Sequence, residues 1–187
     1  NKGISGNFFN GIAHSTGDIV YLCDQDDTWN TDKIRKMQAL FEKDKSLSCV
    51  ISSIDYIDSK GHIIKCKTAF SSRKTHEVSF EEMLCVCSYL GMASAFRRDV
   101  IDSVNYKLGY ETSHDWALFI SALKKGKVVF YGTPLVKYRL HGNNASGVTG
   151  NTLSQKRLNL INRQKYHISF LTETVSLTDE QKEKCRD

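Results

Sequence analysis

"GDIVYLCDQDDTWNTDKI", residues 17–34, runs from a β-branched and aromatic stretch straight into three carboxylates within four positions. Residues 18–24 read as a short buried strand whose C-terminal end carries polar groups. After it, Asn30 or Thr31 can cap a helix reaching about Lys43, with Ile34, Met37, Leu40 and Phe41 on its inner face. Asp24, Asp26 and Asp27 would repel one another at the end of that strand. Ligands of open α/β sheets sit beyond the carboxyl ends of the strands, which is where this segment delivers its side chains. Closely spaced Asp oxygens are hard ligands suited to Mg²⁺ or Mn²⁺, and such a cation would relieve the repulsion. A solvated acidic turn in front of a helix is the other reading of the same residues.

Outward from this stretch, elements alternate. Residues 47–58 read as a strand, Asp58 to Gly61 as a turn, and residues 62–66 as its continuation. Ser79 opens a short helix, with Glu82 at the capping-box position. Residues 91–101 read as a strand running into a helix. Ser113 caps a helix with Trp116, Ile120 and Leu123 inward and Gly126 as its stop. Two further strands, 127–132 and 135–141, flank the only proline, Pro134. Residues 152–172 read as a longer basic helix, and Thr178 begins another. Strands interleaved with helices of this length predict an α/β domain. No internal repeat interrupts it.

Bulk properties narrow the class. With 187 residues and 40% hydrophobic content, the chain can build one compact domain with a core and an appendage. No apolar run approaches the roughly 18–20 residues of a membrane span, and no signal peptide is visible, so an intracellular, cytoplasmic chain is expected. The six cysteines form no CxxC pair and read as reduced, mostly packing thiols. A net charge of +5, spread along the chain, points to no nucleic-acid partner. The chain opens on Asn1 with no strand before it and reads as a piece of something longer.

An EF-hand loop starting at Asp24 would need Gly at Trp29 and Glu at Arg35, and fails. Residues 20–28 also resemble the nucleophile motif of haloacid-dehalogenase-type phosphatases, with Asp24 as nucleophile and Asp26 as acid. That family needs a later acidic pair after an apolar strand, which is missing. Four segments in order resemble the family 2 glycosyltransferases of the GT-A fold, most closely their rhamnosyltransferase-like branch. They are "NKGISGNF" at 1–8, residues 17–34, "SHDWAL" at 113–118 and "YRLHGNNASG" at 138–147. The resemblance implies a mixed α/β sheet flanked by helices, with a partial core over 1–150 and a C-terminal helical extension over 151–187. In the family, a strand and a nucleotide-binding loop come earlier; with these absent, the chain alone is not expected to be a full catalyst.

The resemblance also assigns roles. Asp26 would hold Mn²⁺ or Mg²⁺ directly and His141 would supply another ligand, while Asp24 would lie near the ribose or the metal's waters. Arg139 would pair with the donor diphosphate or form a surface salt bridge. Asn7 would help build the donor site or cap a helix. Asp115, in the first turn of its helix, is the candidate general base, since the helix dipole favours its charged form. His114 would orient the acceptor or cap, Trp116 would pack with one edge in the pocket, and Gly91 would let the sugars approach the backbone or mark a bulge. One base opposite a metal-held leaving group implies direct displacement with inversion.

The expected donor is a dTDP- or UDP-sugar, and the expected acceptor a glycan or lipid-linked hydroxyl of a bacterial surface polysaccharide. The tail mixes Lys156, Arg157, Arg163 and Lys165 with Leu153, Leu160, Ile161, Ile168 and Leu171. It would pack on the domain with a basic face in solvent, or lie at the inner face of an anionic membrane. The alternatives to a transferase are the phosphatase and a catalytically silent binding fragment.

Overall fold

The computed structural model describes residues 3–66, 68–86, 89–111 and 113–141. The C-terminal extension expected over 151–187, with its basic helix, lies outside the described residues. The chain forms two compact units, Asn1–Ser79 with Ser88–His141, and Phe80–Cys87 with Gly142–Asp187. In the second, helix α3 (Phe80–Val86) carries Glu81 and Glu82 in its first turn, where the helix dipole favours acids.

The first unit is a mixed sheet with helices. Its strands are β1 (Ile19–Tyr21), β2 (Thr28–Trp29), β3 (Leu47–Ile57), β4 (Ile63–Ile64), β5 (His76–Glu77), β6 (Ser94–Arg97) and β7 (Lys127–Arg139). Its helices are α1 (Gly3–His14), α2 (Lys33–Lys43), α4 (Arg98–Asp102), α5 (Tyr106–Glu111) and α6 (His114–Lys125). The sheet order is β1-β6-β3-β7-β2, with β4 added to β3 and β5 to β7. Among the described strands only β3 and β7 pair in parallel. Because β1 and β2 are neighbours in sequence but lie at opposite ends of that order, the acidic segment 22–27 must cross from one side of the sheet to the other.

The core follows from the pattern of β3, whose residues are buried almost throughout, as a central strand covered on both faces requires. One cluster gathers Met37, Phe41, Leu47, Val50, Ala95 and Leu135. A second gathers Ile54, Tyr56, Met92, Ala93 and Val136, with Trp29 packed against it. Among the described residues no helix is long and apolar enough to cross a membrane.

Four sequence expectations need correction. Helix α2 begins at Lys33, not at an Asn30 or Thr31 cap; Asn30 instead accepts the Asp32 N–H through its side chain at 3.0 Å, making the turn before the helix. Its inner face carries Met37 and Phe41 as expected, but Ile34 is 49% exposed and Lys33 is fully buried. The two strands expected around Pro134 are one, β7. Its pairing with β3 shifts register on either side of Ser53, which faces Pro134, so the residue without an N–H sits in an irregularity where the ladder is already broken. Finally, Cys23 and Cys66 are exposed rather than packed, while Cys49 is buried.

Gly126 ends α6 as expected, but in an extended rather than left-handed conformation. Its reason is space: a Cβ there would meet the Ser46 carbonyl oxygen at 2.3 Å. Backbone cannot yield as a side chain tip can, so Gly126→Ala should cost about 1–3 kcal/mol, read as a lower denaturant midpoint with an unchanged slope.

Candidate active site

The acidic segment brings ligand atoms of Asp24, Asp26 and Asp27 within 4.8 Å of one another, each side chain half-buried. Burial raises the Asp24 carboxyl above the usual range, and the charges of Asp115 and Asp26 raise it further, against His114 and Lys33. Asp115 therefore faces the acidic cluster although it comes from α6. Burial also pushes Asp27 up to about 6, against a backbone hydrogen bond from Arg139 and with Asp24 and Asp26 adding to the rise. The Asp27 Oδ2 atom is buried with no hydrogen-bond partner among the described residues. An orphaned carboxylate oxygen beside two more carboxylates is a donor set that fits a hard divalent cation.

The end of β7 closes one side. Arg139 N–H donates to Asp27 Oδ1 at 2.9 Å, and its guanidinium Nε donates to the Asp26 carbonyl at 2.9 Å. Its Nη1 reaches the carbonyls of Asp58 and Ser59 at 3.2 and 3.3 Å. These two nitrogens bind protein carbonyls and fasten the acidic segment to the turn after β3. His141 Nε2 lies 2.7 Å from Asp26 Oδ2, so the two expected metal ligands meet directly. A hydrogen bond at that distance has a proton between the atoms, which must leave before Nε2 can ligate a metal.

Helix α6 supplies the other side. Ser113 caps it, accepting the Trp116 N–H at 3.3 Å, and this cap presents His114 and Asp115 in the first turn. Asp115 Oδ1 lies 2.5 Å from His114 Nε2, an ion-pair contact without hydrogen-bonding geometry, while Oδ2 accepts the Gly91 N–H at 3.1 Å. The His114 ring stacks on Phe8 of α1, with centroids 3.8 Å apart and planes at 11°. Gly91 lies in a 3₁₀ turn rather than a strand, and a Cβ on it would stand 2.9 Å from Asp115 Cγ. Its glycine is explained by the Asp115 carboxylate. Trp116 is buried in the core, and Asn7 lies on the exposed face of α1, inside the helix rather than at its cap.

Sequence reading missed Lys33. Its Nζ donates to the Met92 carbonyl at 2.6 Å and sits 3.7 Å from the Trp29 ring centroid. Burial pushes this amine down to about 7, opposed by Cys23, Asp27 and Asp24. Phe8, too, carried no visible signal.

The glycosyl transferase family 2 model matches residues 1–105. Among solved structures, the chain is similar to S. aureus TarS 1-349 in complex with UDP-GlcNAc, with a TM-score of 0.66 and 10% identity over 98% of this chain and 51% of that one. It is similar also to a second structure of S. aureus TarS 1-349, with a TM-score of 0.56, 10% identity, and coverage of 98% and 58%. A third match, S. aureus TarS, has a TM-score of 0.60, 13% identity, and coverage of 100% and 30%. The likeness shows a GT-A fold, and the chain spans about half the length or less of two of these structures and 58% of the other. No curated protein sequence matches the chain.

The raised Asp27 carboxyl has a thermodynamic consequence. The folded chain keeps this proton up to about pH 6, whereas the unfolded chain releases it near 3.8, so stability falls as pH rises between those values. Asp27→Asn retains Oδ1 for the Arg139 N–H and removes the buried charge. Above about pH 6 it should be more stable than the parent by roughly 1–2 kcal/mol, after allowance for solvent screening. Thermal melts should show that gain vanish near pH 4.

Proposed function

Since the chain belongs to glycosyl transferase family 2, we propose that it forms the core of an inverting enzyme that moves a sugar from a nucleotide-diphospho-sugar to an acceptor hydroxyl. What carries this reading is that groups from distant segments act on one another: Asp24, Asp26 and Asp27 lie together, and the charge of Asp115 on α6 raises the Asp24 carboxyl. Glycosyl transfer needs both, a place for the diphosphate's counter-charge and a base for the acceptor.

In this reading Asp26, Asp27 and His141 would hold Mn²⁺ or Mg²⁺, and Asp24 would lie near the ribose or the metal's waters. The metal would supply charge neutralisation for the departing nucleoside diphosphate. Asp115 takes the proton of the acceptor hydroxyl as its oxygen bonds to the anomeric carbon and the bond to the diphosphate breaks. His114 and the Gly91 N–H fix the carboxylate's orientation, and Trp116 anchors the helix that carries it. Asn7 belongs to the donor side. Attack opposite the leaving group inverts the anomeric centre.

The structural neighbour carrying UDP-GlcNAc makes a UDP-sugar the first donor to test, with dTDP-rhamnose next. The acceptor proposed is a glycan or lipid-linked glycan of a bacterial surface polysaccharide, assembled in the cytoplasm at the membrane's inner face. Residues 1–150 form the GT-A core in this proposal, and 151–187 a helical extension that either packs on it or touches the membrane. Family membership favours this over the phosphatase reading, which would trap phosphate on Asp24 and hydrolyse simple phosphomonoesters.

Two variants of the full-length protein test the proposal. Asp26→Asn should abolish metal-dependent donor binding in calorimetry while the melting temperature holds; unchanged donor affinity would remove Asp26 from the metal site. Asp115→Asn keeps the size and an acceptor oxygen but cannot take a proton. Turnover should fall about 10²–10⁴-fold with donor affinity intact. A loss of only a few-fold, in step with lower stability, would make Asp115 a helix-capping residue, because a lost dipole interaction of about 0.3–1 kcal/mol explains no more than that.

A further inference from the structure

His114 and Asp115 are consecutive residues in the first turn of α6, and side chains at i and i+1 of a helix diverge rather than face each other. Yet His114 Nε2 and Asp115 Oδ1 lie 2.5 Å apart. Asp115 Oδ1 is buried and has no hydrogen-bond partner among the described residues, so this contact with the imidazole is what meets that side of the carboxylate. A histidine ring turns easily, because the torsion next to a flat ring has broad wells. Keeping the two groups together therefore requires something that fixes the plane of the His114 ring.

Phe8 of α1 supplies it. Its ring stacks on His114 with centroids 3.8 Å apart and planes at 11°. Turning the imidazole about its own bond would drive a ring edge into the Phe8 face. Helix α1 is itself firmly seated, since the next residue, Phe9, is buried and meets Tyr106 and Tyr110 of α5 edge-on at 4.8 and 5.3 Å. Gly109 of α5 makes room for that anchor, because a Cβ there would overlap the Phe9 ring. Phe9 thus fixes α1 against α5, and the residue before it is delivered to the start of α6.

We propose that Phe8 is a positioning residue for Asp115: by fixing the plane of the His114 ring it sets where the Asp115 carboxylate points, while the Gly91 N–H holds the other oxygen at 3.1 Å. The inference rests on reading Asp115 as the base. Each step of the route is a contact, ring to ring and then Nε2 to Oδ1. A base that must meet one acceptor hydroxyl gains rate from a fixed direction.

The test uses the full-length protein with isotope-labelled histidine and glycine, followed by magnetic resonance. Phe8→Leu keeps an apolar side chain without a flat face, and Phe8→Tyr keeps the ring. In Phe8→Leu the His114 ring protons should move downfield as the ring current over them is lost, and the Gly91 amide proton should move upfield as its bond to Asp115 weakens. Phe8→Tyr should keep both signals near the parent's. With UDP-GlcNAc as the donor probe, kcat should fall about threefold to tenfold in Phe8→Leu, the range that loss of one aromatic pair supplies, with donor KM unchanged and activity retained in Phe8→Tyr. A Gly91 amide that stays in place while the His114 signals move would overturn the proposal, whether or not UDP-GlcNAc is turned over. So would equal losses in the two variants, or a raised donor KM with kcat held, which would assign Phe8 to the donor side. Failure of the base reading looks different: Asp115→Asn would leave turnover nearly intact, while the Gly91 amide in Phe8→Leu would still report whether Phe8 places the carboxylate.

Discussion

Mutual repulsion among Asp24, Asp26, Asp27 and Asp115 is the constraint around which this end of the sheet is arranged. Each carboxylate has a specific neighbour that offsets it. Asp26 has His141, Asp27 has the Arg139 N–H, Asp115 has His114 and the Gly91 N–H, and Asp24 feels His114 and Lys33. The compensation is incomplete, since Asp24 and Asp27 are still pushed upward and Asp27 Oδ2 has no partner. A set of acids that folding leaves under-neutralised has electrostatic affinity to spare for a cation. The same imbalance makes the site costly to the fold, which is a common condition of functional sites.

Long-range pairing supplies the compensating groups. β7 runs parallel to β3 along most of its length, and the register irregularity around Ser53 advances it by three residues. Ser52 faces Tyr131 before the irregularity, and Ile57 faces Arg139 beyond it. In the earlier register Ile57 would face Val136, and an odd shift exchanges the two faces of a strand. The irregularity at Pro134 is therefore part of what sets Arg139 against Asp26, Asp27 and the turn at Asp58. That turn is itself held by Asp58, which accepts the N–H groups of Lys60 and His62.

Much of this was legible in the sequence where one residue's chemistry decides locally. The β-branched run of β3, the Ser113 cap and the carboxylates after β1 each follow from composition over a few positions. Legibility failed where a distant partner decides. Helical periodicity favours Ile34 for the inner face of α2, because it values apolar side chains; only a carbonyl from the 3₁₀ turn and a ring from β2 make a buried Lys33 tolerable. A proline normally divides strands, and the irregularity that accommodates Pro134 depends on β3. The main-chain carbonyls that Arg139 Nε and Nη1 bind have no sequence signature. The glycine at position 91 marks a close approach, and the Asp115 carboxylate that makes one comes from a helix distant in sequence.

Gly91 and Met92 also bear on how accurately the two halves of the site are spaced. The N–H of Gly91 holds Asp115, and the carbonyl of Met92 accepts from Lys33, which faces the acidic cluster. Asp115 and Lys33 are thus connected through adjacent residues of one short turn rather than through long side chains with free rotamers. Met92 and Ala93 are buried against Ile54, Tyr56 and Val136, so the turn is fixed by packing as well as by hydrogen bonds. Displacements of about 1 Å in a reacting constellation can cost on the order of 10²-fold in rate. A spacer made of packed backbone resists such displacement better than a flexible side chain does, and the missing Cβ at Gly91 is what allows it to approach the carboxylate at hydrogen-bonding distance.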